Sequence, residues 1–304
     1  MNGLFDEIKS AFNRQDNALI QLILINIIVF LGTAIIATTL HLLGFRSFYE
    51  SYIAIQFELP SVLGSLIWRP HTLLTYAFQH AGLLHILFNM LFLYWFGAVI
   101  VDYLGSKRIV SIYILGALAG ALGFLILSNT LLPHGTHLVG ASGAVFAVMV
   151  AAATLAPDHT FYLLLFGPVR IKYIVPVLVI LAYVGLGGSN AGGEAAHLGG
   201  ALMGYIYIVQ LKKGNDLGAW IFDLRDSITG LFKKKSKVNV SYSSQKKSKV
   251  YSSNASNNYN KASSPEDVPN QEEVDAILDK ISETGYSSLS KEEKQKLFNA
   301  SKEN

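Results

Sequence analysis

The sequence predicts an all-α polytopic membrane protein: a six-transmembrane-helix bundle with an interfacial first loop and a small helical, partly disordered cytoplasmic tail. Composition is the first observation behind it. Hydrophobic residues make up 51% of the 304-residue chain, charged residues only 15%, and mean hydropathy is +0.38. A soluble domain of this length carries more charge and less apolar surface. Segregation of charge is the second observation. Residues 1–212 hold 17 Asp, Glu, Lys and Arg, whereas the remaining 92 residues hold 28. The third is a series of six apolar stretches of near-span length.

These patterns divide the chain into a cytoplasmic N-terminal segment (1–17), a six-span membrane domain (18–211), a juxtamembrane and disordered linker (212–264) and a short two-helix C-terminal module (265–304). The opening MNGLFDEIKSAFNRQDN is polar and amphipathic, with no small-residue cleavage site after a short apolar core, and reads as a retained segment. A helix crossing a bilayer needs about 20 mostly apolar residues. Spans are expected over 18–43, 82–104, 108–129, 140–156, 173–189 and 194–211. The fourth and sixth are short and rich in Gly and Ala, the composition of helices packed on helices rather than on lipid.

Basic residues set the orientation. Lys9 and Arg14 precede the first span, Lys107 and Arg108 join the second to the third, Arg170 and Lys172 join the fourth to the fifth, and Lys212 and Lys213 follow the sixth. Only Arg46 and Arg69 lie on the other side. Both termini are therefore expected in the cytoplasm, with the protein in the plasma (inner) membrane if the cell is bacterial. The connection 44–81 has too many Pro, Gly and polar breaks to span. It is expected to lie in the outer interface, with Trp68 and Tyr76 at headgroup depth; the alternative is a plain extracellular loop.

After the sixth span, Trp220, Ile221, Leu224 and Ile228 predict a short amphipathic helix on the inner leaflet. LFKKKSKV then offers Lys to anionic headgroups, or is a solvated linker. Residues 239–264 are Ser, Asn, Lys and Tyr rich and read as disordered. Val274, Ile277, Leu278 and Ile281 recur at helical spacing, Gly285 suits a stop, and Ser290-Lys291-Glu292-Glu293 reads as a capping box opening a last helix. Two such helices bury too little to be secure alone, so a cytoplasmic partner or the cytoplasmic face of the protein is expected to cover them.

The formal net charge of +3 comes mostly from Lys near the end of the membrane domain and does not point to nucleic acid. The chain has no cysteine, which excludes disulfides, thiol catalysis and Cys-based zinc sites. There is no HExxH, no pair of Asp within spans, and His134 and His137 of PHGTH have no adjacent acidic ligand. Neither a metal nor another cofactor is expected.

Polar side chains within spans are costly and face the bundle interior or a watery cavity. His85 and Asn89 share a face at the start of the second span, five residues after His80. Ser142 lies between Gly140-Ala141 and Gly143 at the start of the fourth, and His197 near the start of the sixth. By the orientation above, all of these lie at similar depth below the outer surface. Each alone has a plain reading: Ser142 as a small packing residue, a His bonded to a neighbouring carbonyl, Asn89 as interhelical glue. Together they supply a hydroxyl nucleophile, an imidazole base and donors for an oxyanion, the parts of acyl transfer. Gly143 and Ala147 on one span, with Gly200 and Gly204 on another, allow the two to approach closely. A proton-coupled transporter using buried His predicts internal repeats, and the sequence has none.

Trp68-Arg69, His80…His85-x-x-x-Asn89, Gly140-x-Ser142-Gly143 and Ala196-His197-x-x-Gly200, in this order over about residues 60–211, resemble the rhomboid family of intramembrane serine proteases. The resemblance implies a rhomboid-like bundle in which Ser142 is the nucleophile and His197 its base. It also implies an oxyanion held by the Ser142 N–H with His85 and Asn89, and His80, Gly140, Gly143, Phe146 and Gly200 as supporting residues. Its implied partners are the transmembrane helices of single-span substrates. Phe146 departs from the family pattern, where a tyrosine commonly stacks on the histidine. The family works as a dyad, no third acidic member is expected here, and slow turnover follows. Asp102 is given a structural role and the fifth span that of a lateral gate. The alternative is a catalytically silent rhomboid-fold protein that binds or helps extract spans; such relatives usually lack the serine or the histidine, and both are present.

Overall fold

Apolar runs punctuated by glycine and polar turns become helices because, away from water, only intra-segment hydrogen bonds satisfy the backbone. In the computed structural model, the described residues are 9–12, 16–131, 135–163, 167–223, 271–284 and 288–300. They divide into two units, Met1–Ser236 and Lys237–Asn304. Among the described residues of the first unit six long helices follow in order: α1 (Ala18–Leu42), α2 (Leu83–Leu104), α3 (Ser106–Thr130), α4 (Ser142–Leu155), α5 (Ile171–Gly185) and α6 (Ala191–Lys212). Three of them, α1, α2 and α3, are long and apolar enough to cross a membrane. The other three expected spans are helical, but α4 and α5 have only 14 and 15 residues, and α6 opens on Gly, Glu and His. Gly105, at φ +82°, ends α2 and starts α3 within one residue, a backbone conformation that side chains with a Cβ resist.

The core is the contact of α6 with α3 and α4, and small residues make it. A Cβ on Gly200 would collide with the Gly143 carbonyl, and one on Gly204 with the Ala147 carbonyl. A Cβ on Gly199 would meet the Ala119 carbonyl, and one on Gly123 would lie 2.5 Å from the Ala195 oxygen. Glycine facing glycine or alanine at each contact thus lets backbone rest on backbone. Helix α1 is attached differently, through polar groups: Asn26 Nδ2 donates to the Tyr113 hydroxyl (3.1 Å), Tyr113 donates to the Ala77 carbonyl (2.7 Å), and Thr33 Oγ1 donates to Gln79 Oε1 (3.0 Å). Its first amide, Ala18 N–H, donates to Ser106 Oγ at 2.8 Å.

The loop between α1 and α2 folds into short helical turns, including Leu63–Trp68 and Thr72–Thr75, and Arg69 Nη1 ties it by donating to the Ile55 carbonyl at 2.9 Å. Ile67 and Trp68 project outward, 76% and 84% exposed, as an interfacial anchor does. Tyr76 corrects the expectation for headgroup depth. It is fully buried, because its hydroxyl finds the Ala117 carbonyl at 2.6 Å inside the bundle, so the polar tip needs no water.

The all-α expectation also misses two small antiparallel ladders. β1 (Leu59–Pro60) pairs with β2 (His137–Leu138), joining the first loop to the segment before α4. β3 (Thr160–Leu163) pairs with β4 (Gly167–Arg170) between α4 and α5, and Phe161 packs edge-on against Phe96 of α2 with ring centroids 5.1 Å apart. At its base Asp158 accepts from Lys172 (2.6 Å) and Arg170 (3.1 Å), and the Lys172 bond first, then its charge, holds the exposed Asp158 carboxyl below its usual range.

Beyond α6, Tyr207 donates to Asp216 Oδ1 at 3.0 Å and Arg108 lies 3.4 Å from Asp216 Oδ2, fastening the segment to α3. Trp220 and Ile221 are helical as expected, whereas Leu224, Ile228, the Lys cluster, residues 239–264 and Gly285 lie outside the described residues. In the second unit, α7 (Gln271–Thr284) and α8 (Lys291–Ala300) pack on each other. Ser290 and Glu293 form the reciprocal capping box, with Ser290 N–H donating to Glu293 Oε2 (2.7 Å) and Glu293 N–H to Ser290 Oγ (3.2 Å). Ile277 is buried, but Leu278, expected on the same face, is 49% exposed, since α8 covers only the narrower stripe of Val274, Ile277 and Ile281.

Replacing Gly204 by Val should force α6 off α4. The thermal midpoint in mild detergent should fall by the equivalent of about 1–3 kcal/mol, whereas Gly32→Ala in α1, with nothing within 4 Å of the new Cβ, should leave it unchanged.

Candidate active site

Ser142 is the first residue of α4, and the first hydrogen bond of that helix runs from the Val145 N–H to the Ala141 carbonyl at 2.9 Å. The amides of Ser142, Gly143 and Ala144 therefore precede the ladder and, with the positive end of the helix dipole, face the same space as the hydroxyl. His197 lies two turns into α6. The glycine contacts between the two helices bring Ser142 Oγ and His197 Nε2 to 2.8 Å. Phe146, one turn after Ser142, stacks on the imidazole with ring centroids 4.4 Å apart and planes 7° from parallel.

The other nitrogen of that ring is also engaged. Glu194 Oε2 lies 2.9 Å from His197 Nδ1, three residues earlier on the same helix face. A carboxylate thus lies beside the ring, where none is expected from the sequence. An ionised carboxylate only accepts, so Nδ1 carries the proton and Nε2 is left as the acceptor for the Ser142 hydroxyl. The signal was in the sequence as Glu-x-x-His, the spacing at which two helical side chains touch. Among candidate acids, attention falls more readily on Asp102, which is exposed near the far end of α2.

His85 and Asn89 enter from α2. The Ala81 N–H donates to His85 Nδ1 over a long 3.4 Å, which leaves Nε2 as the protonated nitrogen of the neutral ring. Asn89 Nδ2 donates one hydrogen to the His85 carbonyl at 2.9 Å, and the second remains for the cavity. Gly140 makes the space for His85. A Cβ there would lie 2.8 Å and 2.9 Å from His85 Cε1 and Nε2, and its φ of +129° disfavours any side chain. The Gly140 N–H is held by the Tyr76 carbonyl at 3.0 Å. Gly143 and Gly200 meet backbone to backbone as described. His80 differs from its expected place among the watery residues: it is 4% exposed, does not line the cavity, and packs edge-on against His85 and Phe30 at 5.2 and 6.4 Å.

Ser142, His197, His85, Asn89 and Phe146 line one cavity of about 920 Å³. Phe92, Phe124, Val145 and Met149 give it an apolar wall, and its rim is made by Thr136–Val139 around β2 and by residues 188–193, which run from the loop after α5 into the first turn of α6. The β2 rim was not legible in the sequence, because two-residue ladders leave no periodic pattern. Among the described residues no group of His, Asp and Glu is arranged to hold a metal ion.

Gly140→Ala should strain the backbone and press on His85. A fall in thermal stability of about 1–3 kcal/mol is expected, measured by melting in detergent.

The Rhomboid domain model matches residues 67–213, and a family of unknown function matches residues 258–303. The RHOMBOID-like protein 12, mitochondrial, of Arabidopsis thaliana is 35% identical over 161 residues, 48% of this chain and 48% of that one. Rhomboid protein 1, mitochondrial, of Saccharomyces cerevisiae is 37% identical over 136 residues, covering 43% of this chain and 39% of the relative. The Presenilin-associated rhomboid-like protein A, mitochondrial, of Danio rerio is 30% identical over 135 residues, covering 43% and 35%. The chain thus spans about half or less of the length of these relatives. With its apolar helices it is a multi-pass membrane protein. Residues 67–213 carry a rhomboid domain, the likeness this chain shares with these relatives.

Proposed function

We propose that the protein is an intramembrane serine endopeptidase that cuts single-span membrane proteins near the outer face of the bilayer, with Ser142 as nucleophile and His197 as base. The observation that carries this is the 2.8 Å approach of Ser142 Oγ to His197 Nε2 between two non-consecutive helices, beside a cavity that also holds His85 and Asn89.

In the acylation step Ser142 Oγ bonds to the scissile carbonyl carbon, the carbonyl π pair moves onto oxygen, and the hydroxyl proton passes to His197 Nε2. The oxyanion is held by the Ser142 N–H, the free Asn89 N–H and the His85 Nε2–H, donors already oriented before charge develops. Collapse breaks the C–N bond as Nε2 gives its proton to the departing amine. Water then attacks the ester through the same base, releases the new carboxyl end and restores Ser142.

All six helices of the first unit are taken to cross the bilayer, with both termini on the inner side as the Lys and Arg bias directs. The 14-residue α4 supports a sunken site: at 1.5 Å per residue it is about 21 Å long, against a hydrocarbon core of about 30 Å. A helix that reaches the inner surface therefore starts below the outer one, and the polar rim above it admits water. A substrate span must unwind locally to bring its carbonyl to Ser142, so helices with Gly, Ala or Pro near their outer end are preferred. Helix α5, carrying Pro176 and exposing Val177, Ile180 and Leu181 outward, is the side from which such a helix enters. The C-terminal module is assigned to a partner on the inner side. The relatives described above are named as mitochondrial proteins, so likeness to them does not assign this chain to a bacterial plasma membrane.

In proteoliposomes carrying a single-span reporter, Ser142→Ala and His197→Ala should abolish cleavage, and a fluorophosphonate should label Ser142 in the unaltered protein. Full cleavage by the Ser142→Ala protein would refute the proposal and favour a silent rhomboid-fold protein that binds or helps extract spans. Asn89→Ala should lower the rate by up to about 10²–10³ through the lost oxyanion donor.

A further inference from the structure

We infer that Glu194 is the positioning residue of a Ser142–His197–Glu194 triad, so that this chain orients its base by a carboxylate rather than by stacking alone. The inference rests on the protease reading and names a residue that reading does not need.

Three observations carry it. Glu194 Oε2 is 2.9 Å from His197 Nδ1 while Nε2 is 2.8 Å from Ser142 Oγ, so the imidazole is bridged on both sides in one line. The pair is shielded, with side chains only 15% and 20% exposed, and among the described residues the Glu194 carboxylate has no other ion-pair partner. Finally, the site makes room for it. A Cβ on Gly185, the last residue of α5, would lie 2.8 Å from Glu194 Cγ and 2.9 Å from its Cδ. The end of α5 is therefore the wall that turns the carboxylate toward the ring.

Stacking on Phe146 fixes only part of the orientation of the ring. A parallel ring fixes the plane of the imidazole, but a half-turn about the Cβ–Cγ bond leaves that plane unchanged while exchanging Nδ1 with a carbon. Stacking also has no preference for which nitrogen holds the proton. A carboxylate at Nδ1 decides both, and it neutralises the imidazolium formed when Nε2 takes the Ser142 proton. A glutamate in the first turn of a helix also favours the positive end of the helix dipole. That role needs no contact with His197, and the test separates the two.

The full-length protein is reconstituted with the single-span reporter and kcat and KM are measured separately. Glu194→Gln keeps the shape but loses the charge and the obligate acceptor. It should lower kcat by up to about 10⁴-fold, the loss when a triad aspartate becomes an amide, with KM within about threefold and the thermal midpoint unchanged. Glu194→Asp should recover part of the loss, and Gly185→Ala, which displaces the carboxylate without touching Ser142 or His197, should lower kcat in the same sense. Fluorophosphonate labelling of Ser142 should slow in parallel. An unchanged kcat in Glu194→Gln, with Ser142→Ala inactive, overturns the triad and leaves the protease reading standing. A loss of melting temperature that accounts for the loss of kcat in Glu194→Gln and Gly185→Ala alike overturns it in favour of a structural carboxylate. Cleavage that survives Ser142→Ala overturns both.

Discussion

The closeness of α4 and α6 is the constraint on which the rest of the structure depends. Gly200 rests on the Gly143 carbonyl and Gly204 on the Ala147 carbonyl, so two helix backbones touch where side chains would normally hold them apart. A hydroxyl and an imidazole are both short. For their atoms to meet at 2.8 Å from different helices, the axes must be nearly as close as helices can come. A neighbouring glycine of α6, Gly199, faces Ala119 and Gly120 of α3, and Gly123 of α3 faces Ala195, so α6 is locked on two sides and His197 has little freedom to drift. Close packing in an apolar body is therefore both the source of cohesion and the device that assembles the site.

Around that contact, polar groups are admitted only where each has a partner or a view of the cavity. Asn26, Tyr113 and the Ala77 carbonyl bond to one another inside the bundle, as do Tyr76 and the Ala117 carbonyl. These bonds hold the first loop onto the helices and, through the Tyr76 carbonyl, fix Gly140 and hence the approach to Ser142. Ser128 and His80 are exceptions among the described residues, since neither the Ser128 hydroxyl nor either His80 ring nitrogen has a hydrogen-bond partner; the packing of His80 edge-on against His85 makes it a support for that ring rather than a lining of the cavity. The hydroxyl, the imidazole and their donors thus gather beside the N-terminal amides of α4.

The site also shows why a chain can hold an imidazole by two means at once. Phe146 sets the plane of the His197 ring and Glu194 faces its outer nitrogen, and each comes from a different helix. The α5 terminus, through Gly185, stands behind the carboxylate. Three helices therefore meet at one ring, and the ring sits at the edge of the cavity that a substrate must enter.

Sequence by itself determined where the helices run and which residues share their faces, because apolar length, Gly and Ala spacing and basic loops are local signals. The starts of α2, α4 and α6, the face shared by His85 and Asn89, and the glycines that admit α6 to α4 were all legible. It could not show that Tyr76 turns inward, that β2 of the two-residue ladder rims the cavity, that His80 lies behind His85, or that Glu194 points at Nδ1. Those depend on rotamers and on neighbours distant in the chain, such as the Ala117 carbonyl for Tyr76 and Gly185 for Glu194. Helical spacing states that two side chains can touch. Only the tertiary surroundings decide that they do, since the direction a side chain takes is set by what else is packed against it.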